Sequence, residues 1–264
     1  MSDSQTVAVR RVIAPMLSDA RIASPLTSQA LLGETLQVVE RHGDWLLVQG
    51  FDHYQGWMHI GYTMPASGSE MTWPISMGCE IAGADGRPFP VPFGARIPPE
   101  YHVVAGTVVT PEQRATQFTP SGAALAQSAN VVFGGASYLW GGVTPWGCDC
   151  SGLVQRIFAL YGITLPRDAW QQALVGARVA SDAIASHAPG DLLFFSDRED
   201  GRITHVGMAL GHGRMVHSAL RRGGVAVEQL DADDPYVARL REQCVGVQRV
   251  DTATTASPIP PSGW

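Results

Sequence analysis

The sequence predicts an α+β protein whose N-terminal half is all-β. Three observations carry that prediction. Short apolar runs separated by Gly, Pro, Asp or His recur from the start of the chain to Thr110. Glycine and proline contribute 29 and 18 of the 264 residues, a density that favours short strands and tight turns over long helices. Helical composition enters only after Ser121, and strand-length runs then close the chain. With 45% hydrophobic and 16% charged residues the chain buries a core, which excludes a disordered or fibrous protein.

The elements follow in order. Residues 1–66 read as one small β module: LLGETLQVVE, the turn RHGDW, then WLLVQGF and DHYQGWMHI. LQVVE and WLLVQ alternate or run apolar over strand length, with Gly, Asp and His marking the turns. The run ASGSE, Ala66–Glu70, reads as a linker. A second β module spans 67–121, built from MTWPISMGCEIA, the turn GADGRP, the Pro-rich FPVPFGARIPPE and YHVVAGTVVT, with a joint near 111–122. The segment 122–251 is different. Ser121 is placed to cap a helix over GAALAQSANVVF. CSGLVQRIFAL sets Leu153, Ile157 and Leu160 on one helical face, and Gly162 stops it. DLLFFS, HVGMALG, RMVHSAL, VAVEQL and CVGVQRV follow as strands. Residues 252–264 are expected to be an extended tail.

The net charge is −6 and no run of Lys or Arg occurs, which argues against nucleic acid or an anionic membrane as partner. The N-terminus lacks the basic start and apolar run of a secretory signal, and no stretch approaches a membrane span, so a cytoplasmic protein is expected. The four cysteines are too few for a disulfide framework. Reduced thiols are expected, with Cys79 and Cys244 inert in the core and Cys148 structural. Outside the pair discussed next, most histidines read as surface or turn residues, His212 most clearly.

The most informative segment is YLWGGVTPWGCDCSGLVQRIF. Cys150 begins the inferred helix after a Gly-rich turn, where free N–H groups and the helix dipole favour a thiolate, the nucleophile of cysteine chemistry. A base must come from elsewhere. His205 opens the strand HVGMAL, 55 residues on, and His217 lies on the next strand. A hairpin over GHGR sets the two imidazoles side by side, so that His217 orients His205. Trp140 and Trp146 flank the nucleophile and are placed either to wall a cleft or to fill a core.

Tyr138-Leu139-Trp140-Gly141-Gly142, Asp149-Cys150-Ser151-Gly152, His205-Val206-Gly207 and His217 stand in the order of the NlpC-type cysteine peptidases, which this region resembles. The resemblance implies a papain-like catalytic domain with Cys150 as nucleophile, His205 as base, His217 as its orienting partner and Tyr138 as an oxyanion donor. LLGE, GDW and YQGW resemble the bacterial SH3-like domains that precede such domains, and 72–114 resembles a divergent second copy. The whole pattern, two small SH3-like barrels and an NlpC-type domain, is similar to the γ-D-glutamyl-L-diamino acid endopeptidases of murein peptide recycling. These need no metal or other cofactor. They cut wall peptides between D-Glu and meso-diaminopimelate or L-Lys when the N-terminal L-Ala is free. By that resemblance Glu34 and Tyr54 recognise the free amine, and Asp149 is a candidate second carboxylate for it. Ser151, Trp140 and Asp168 complete the expected substrate contacts. Arg167-Asp168-Ala169 stands where the family often has Arg-Asp-Ser, so Ala169 is a departure that bears on fine specificity. Three alternatives stand beside this reading: an NlpC-type amidase or acyltransferase, a non-catalytic wall-binding SH3-like protein, and a zinc protein using Cys148, Cys150, His205 and His217, whose spacing matches no common zinc motif.

Overall fold

A computed structural model describes residues 5–180 and 187–252. The chain divides into two compact units, Met1–Gln117 with Trp140–Thr144, and Phe118–Leu139 with Pro145–Trp264. The tail expected to be extended lies, from residue 253 on, outside the described residues.

In the first unit, β1 (Thr6–Val9), β2 (Ile13–Leu17), β3 (Leu26–Leu31), β4 (Thr35–His42), β5 (Trp45–Gln49), β6 (Gln55–His59) and β7 (Thr63–Pro65) form one sheet in the order β3-β2-β6-β5-β4-β1-β7. Alternation makes these strands: Leu46, Val48 and Met58 turn inward onto Val7, Val9 and Leu36, while much of β4 remains exposed. The β4–β5 hairpin pairs His42 with Trp45 across the predicted turn. β8 (Ile75–Ala82), β9 (Pro88–Val91) and β10 (His102–Val109) make a three-stranded antiparallel sheet, followed by α1 (Pro111–Gln117). The sequence divides this half at residue 66; the structure joins it. Leu31 and Leu32 share a core with Cys79, Ile81, Val91 and, from the two-residue strand β11 (Val143–Thr144), Val143. Three strands bury too little by themselves, and the second segment closes its core on residues of the first.

The second unit contains α2 (Gly122–Phe133), the two-residue strand β12 (Gly147–Cys148), α3 (Cys150–Leu160), α4 (Ala169–Gln172) and a six-stranded sheet. The sheet strands are β13 (Ala177–Arg178), β14 (Leu192–Phe195), β15 (His205–Gly211), β16 (Arg214–Ala219), β17 (Gly224–Gln229) and β18 (Cys244–Arg249), in the order β13-β18-β14-β15-β16-β17. A fifth helix, α5 (Pro235–Gln243), precedes β18. The Ser121 hydroxyl accepts from the Ala124 N–H and caps α2 as expected. Gly162, at φ 80°, ends the α3 turn in the left-handed region.

β14 is buried along its whole length. Leu193 and Phe195 pack with Met215, Leu240 and Val247 on one side, while α2 and α3 lie against β15 and β16. Both faces of the sheet are therefore covered, which explains the unbroken apolar run LLFF. The Leu153–Ile157–Leu160 stripe predicts a half-buried α3. Instead α3 is buried on nearly all sides, Gln155 and Arg156 included. A helix inserted this deeply is a rigid mount for the residue at its first position.

Candidate active site

Cys150 is the first residue of α3. Asp149 caps the helix, its carboxylate accepting from the Gly152 N–H at 2.7 Å. The preceding chain is pinned by the Ser218 hydroxyl, which donates to the Cys148 carbonyl at 2.7 Å. Cys148, fully buried, is structural, and burial pushes its thiol up to about 12. Cys150 is buried, with 9% of its surface open. Burial first, then the Asp149 carboxylate, pushes its thiol up to about 12; the Val206 and Ser151 N–H groups and Arg167 pull the other way. Burial and Asp149 thus oppose the thiolate that the helix start favours. Because the Val206 N–H acts on the sulfur, the thiol lies against the strand that carries His205.

The expected hairpin forms. β15 and β16 pair with Met208 opposite Val216, and His212 turns the corner at φ 53°. His205 Nε2 and His217 Nδ1 are 2.8 Å apart, with the rings edge to face. Gly207, of the His205-Val206-Gly207 motif, sits over Met215, and a Cβ there would collide with the methionine side chain. His205 is held well below the ordinary imidazole range, first by burial and then by His217. Both shifts favour a neutral thiol and imidazole over the ion pair.

The dyad does not end at His217. On the neighbouring β17, Glu228 lies diagonal to it in register, since His217 pairs with Ala226 and Met215 with Glu228. His217 Nε2 is 3.3 Å from Glu228 Oε1, and Arg222 donates to both Glu228 oxygens at 2.7 and 2.9 Å. The hydrogen bond from His217, then Arg222, pull the Glu228 carboxyl down to about 2. An ionised carboxylate only accepts, so His217 carries its proton on Nε2 and accepts from His205 at Nδ1. His205 then donates from Nε2 and presents the lone pair of Nδ1 as the base. Composition and spacing carry no signal for Glu228; the register of β16 and β17 selects it.

Residues 135–241 match the NlpC/P60 family, and residues 16–60 match the bacterial dipeptidyl-peptidase SH3 domain. Residues 135–241 are an NlpC/P60 cysteine peptidase domain. Over 79% of its length the chain is 27% identical to a γ-D-glutamyl-L-lysine dipeptidyl-peptidase of Bacillus cereus, spanning 72% of that protein. A Bacillus subtilis protein of the same name is 47% identical over 33% of the chain and 28% of its own length. The crystal structure of an NlpC/P60 family protein from Bacillus cereus shares the fold at a TM-score of 0.74, with 22% identity, over 92% of this chain and 99% of that one.

Within the NlpC/P60 domain, Tyr138 is half-buried. Its N–H donates to the Gly223 carbonyl at 2.9 Å, and its backbone bridges to Cys148. Burial, Cys150 and Asp149 raise its phenol to about 12, so it stays protonated and able to donate. Two expected substrate contacts have partners within the domain. Asp149 is buried, and Arg167 binds both of its oxygens, at 3.0 and 2.6 Å. Ser151 is buried too, its hydroxyl donating to Asp149 at 3.3 Å and accepting from Arg167 at 2.9 Å. Asp149 therefore holds the helix start and balances Arg167, itself only 1% exposed. Asp168 precedes α4, with its neighbour Arg167 turned into the core.

In the first unit, Glu34 is half-buried and its carboxylate accepts from the Leu31 N–H at 2.9 Å, while Tyr54 packs on the β-sheet core. Trp140 belongs to that unit and is 66% exposed, so it fills no core. His187, expected at the surface, is buried. Among the described residues no three His, Cys, Asp or Glu side chains are grouped to hold a metal, and no helix is long and apolar enough to cross a membrane.

Glu228→Gln is expected to lower kcat/KM about 10- to 100-fold while the melting temperature stays near wild type. It should also move the acid limb of the pH profile to lower pH, because a negative charge that stabilises imidazolium is gone. An unmoved limb would assign Glu228 to packing alone.

Proposed function

We propose that the NlpC/P60 domain hydrolyses wall-derived peptides at the bond between γ-D-Glu and the diamino acid, when the N-terminal L-Ala of the peptide is free. The observation that carries this is Cys150 at the head of a buried helix, its sulfur beside Val206 on the strand that His205 opens, with the His205 tautomer fixed through His217 and Glu228. Sγ attacks the γ-carbonyl carbon as its proton passes to Nδ1 of His205, and the oxyanion takes a hydrogen bond from Tyr138. Collapse expels the diamino acid amine, protonated by His205, and leaves a thioester on Cys150. Water, deprotonated by His205, then attacks the thioester carbon. Sγ departs and recovers the proton.

Support for the scissile bond comes from the relatives, named for the γ-D-glutamyl-L-lysine bond, and from the SH3 match over residues 16–60. Their designation as dipeptidyl-peptidases implies release of a dipeptide from a free N-terminus. The setting that goes with this reading is cytoplasmic recycling of murein peptides; four free thiols suit a reducing compartment. Incubation with defined tri- and tetrapeptides and mass analysis of products tests the reading. L-Ala-γ-D-Glu should be released, and N-acetylating the alanine should reduce kcat/KM by about 100-fold or more. Equal cleavage of capped and free peptides would point to an NlpC-type amidase or acyltransferase instead.

A further inference from the structure

A cavity of about 510 Å³ opens beside the catalytic histidine within the second unit; Tyr138, His205 and Tyr236 line it, together with Arg221, Arg239 and Asp197. The two arginines are exposed and have no hydrogen bond or ion pair among the described residues. They differ in this from Arg222, which Glu228 and Asp234 engage. Asp197 accepts from the Thr204 hydroxyl at 2.8 Å and is exposed. One wall is apolar, formed by Phe195, Leu220 and Leu240.

His205 protonates the departing amine, so the part of the substrate that leaves must lie against His205. The cavity that contains His205 is therefore on the leaving-group side. Its charges, two guanidiniums and one carboxylate, call for a ligand with two carboxylates and one ammonium. We infer that Arg221, Arg239 and Asp197 form a subsite for a dicarboxylic diamino acid, of the diaminopimelate type, in preference to lysine. A diaminopimelate at the peptide C-terminus carries its α-carboxylate and, across a short apolar chain, a second carboxylate and an ammonium. Lysine in that place has one carboxylate and one ammonium, which leaves one guanidinium unanswered. Free guanidiniums at a mouth shared with solvent act as point attractors, so the discrimination is a matter of tens-fold rather than thousands.

This rests on the reading proposed above, and one experiment separates the two. L-Ala-γ-D-Glu-diaminopimelate, the same peptide amidated at the distal carboxylate, and L-Ala-γ-D-Glu-L-Lys are compared as substrates for wild type, Arg221→Gln, Arg239→Gln and the double variant. Wild type should favour the first over the other two by about tenfold or more in kcat/KM. The double variant should bring the ratio to within about twofold, each single variant lying between. A ratio of one in wild type, a preference for lysine, or a ratio that survives the double substitution overturns the subsite while leaving the scissile bond standing. Cleavage of none of the three peptides overturns both.

Discussion

Cys150→Ala is expected to abolish hydrolysis of L-Ala-γ-D-Glu-diaminopimelate, with a fall of about 10⁴-fold or more in kcat/KM. No neighbouring group can replace the sulfur. Cys148 is fully buried, its thiol pushed up to about 12, and the Ser151 hydroxyl is held between Asp149 and Arg167. The small truncation at the buried head of α3 leaves the Asp149 cap and the Arg167 pair in place, so folding survives and the loss is chemical. The same variant reports the resting state of the nucleophile. Subtracting its ultraviolet spectrum from that of wild type at neutral pH should reveal no thiolate band, because burial and Asp149 keep the thiol protonated. A full thiolate band would mean that helix end and imidazole outweigh desolvation, and the neutral-pair account would fall.

His205→Ala is expected to cost about 10³- to 10⁴-fold, the contribution of a positioned acid–base group used in both half-reactions. The pH profile is the sharper check. A protonated His205 cannot accept the thiol proton, so activity is lost as pH falls through the pKa of the imidazole. Burial and His217 hold that pKa below the ordinary value of 6.5. Activity should therefore persist through the usual histidine range, and the acid limb of kcat/KM should lie clearly below pH 6.5. An acid limb at or above the ordinary value would show His205 solvated, and the tautomer relay through His217 and Glu228 would lose its physical basis.

The largest effects follow from residues that were legible locally. Asp149-Cys150-Ser151-Gly152 announces a capped helix start, Ser121 another, and Gly162 a stop. GHGR between two apolar runs announces the hairpin that sets His205 beside His217. Each signal acts within a turn or across one tight connection, where backbone preference and side-chain period decide the outcome. Placing Cys150 at a helix start and His205 beside His217 therefore needed only the linear order of residues.

What tertiary structure alone decided is the electrostatic state of those residues. Glu228 reaches His217 through the register of β16 and β17, and Arg167 reaches Asp149 from 18 residues away across buried space. Neither pairing leaves a periodic trace. Asp149 and Ser151 stand next to Cys150 in the motif, and a buried guanidinium, which requires partners, binds both. The neutral resting thiol is likewise a consequence of everything packed around α3. A chain's order states which groups exist and which local turns they favour; desolvation and cross-strand pairing, which set their charges and partners, exist only once distant segments exclude water from one another.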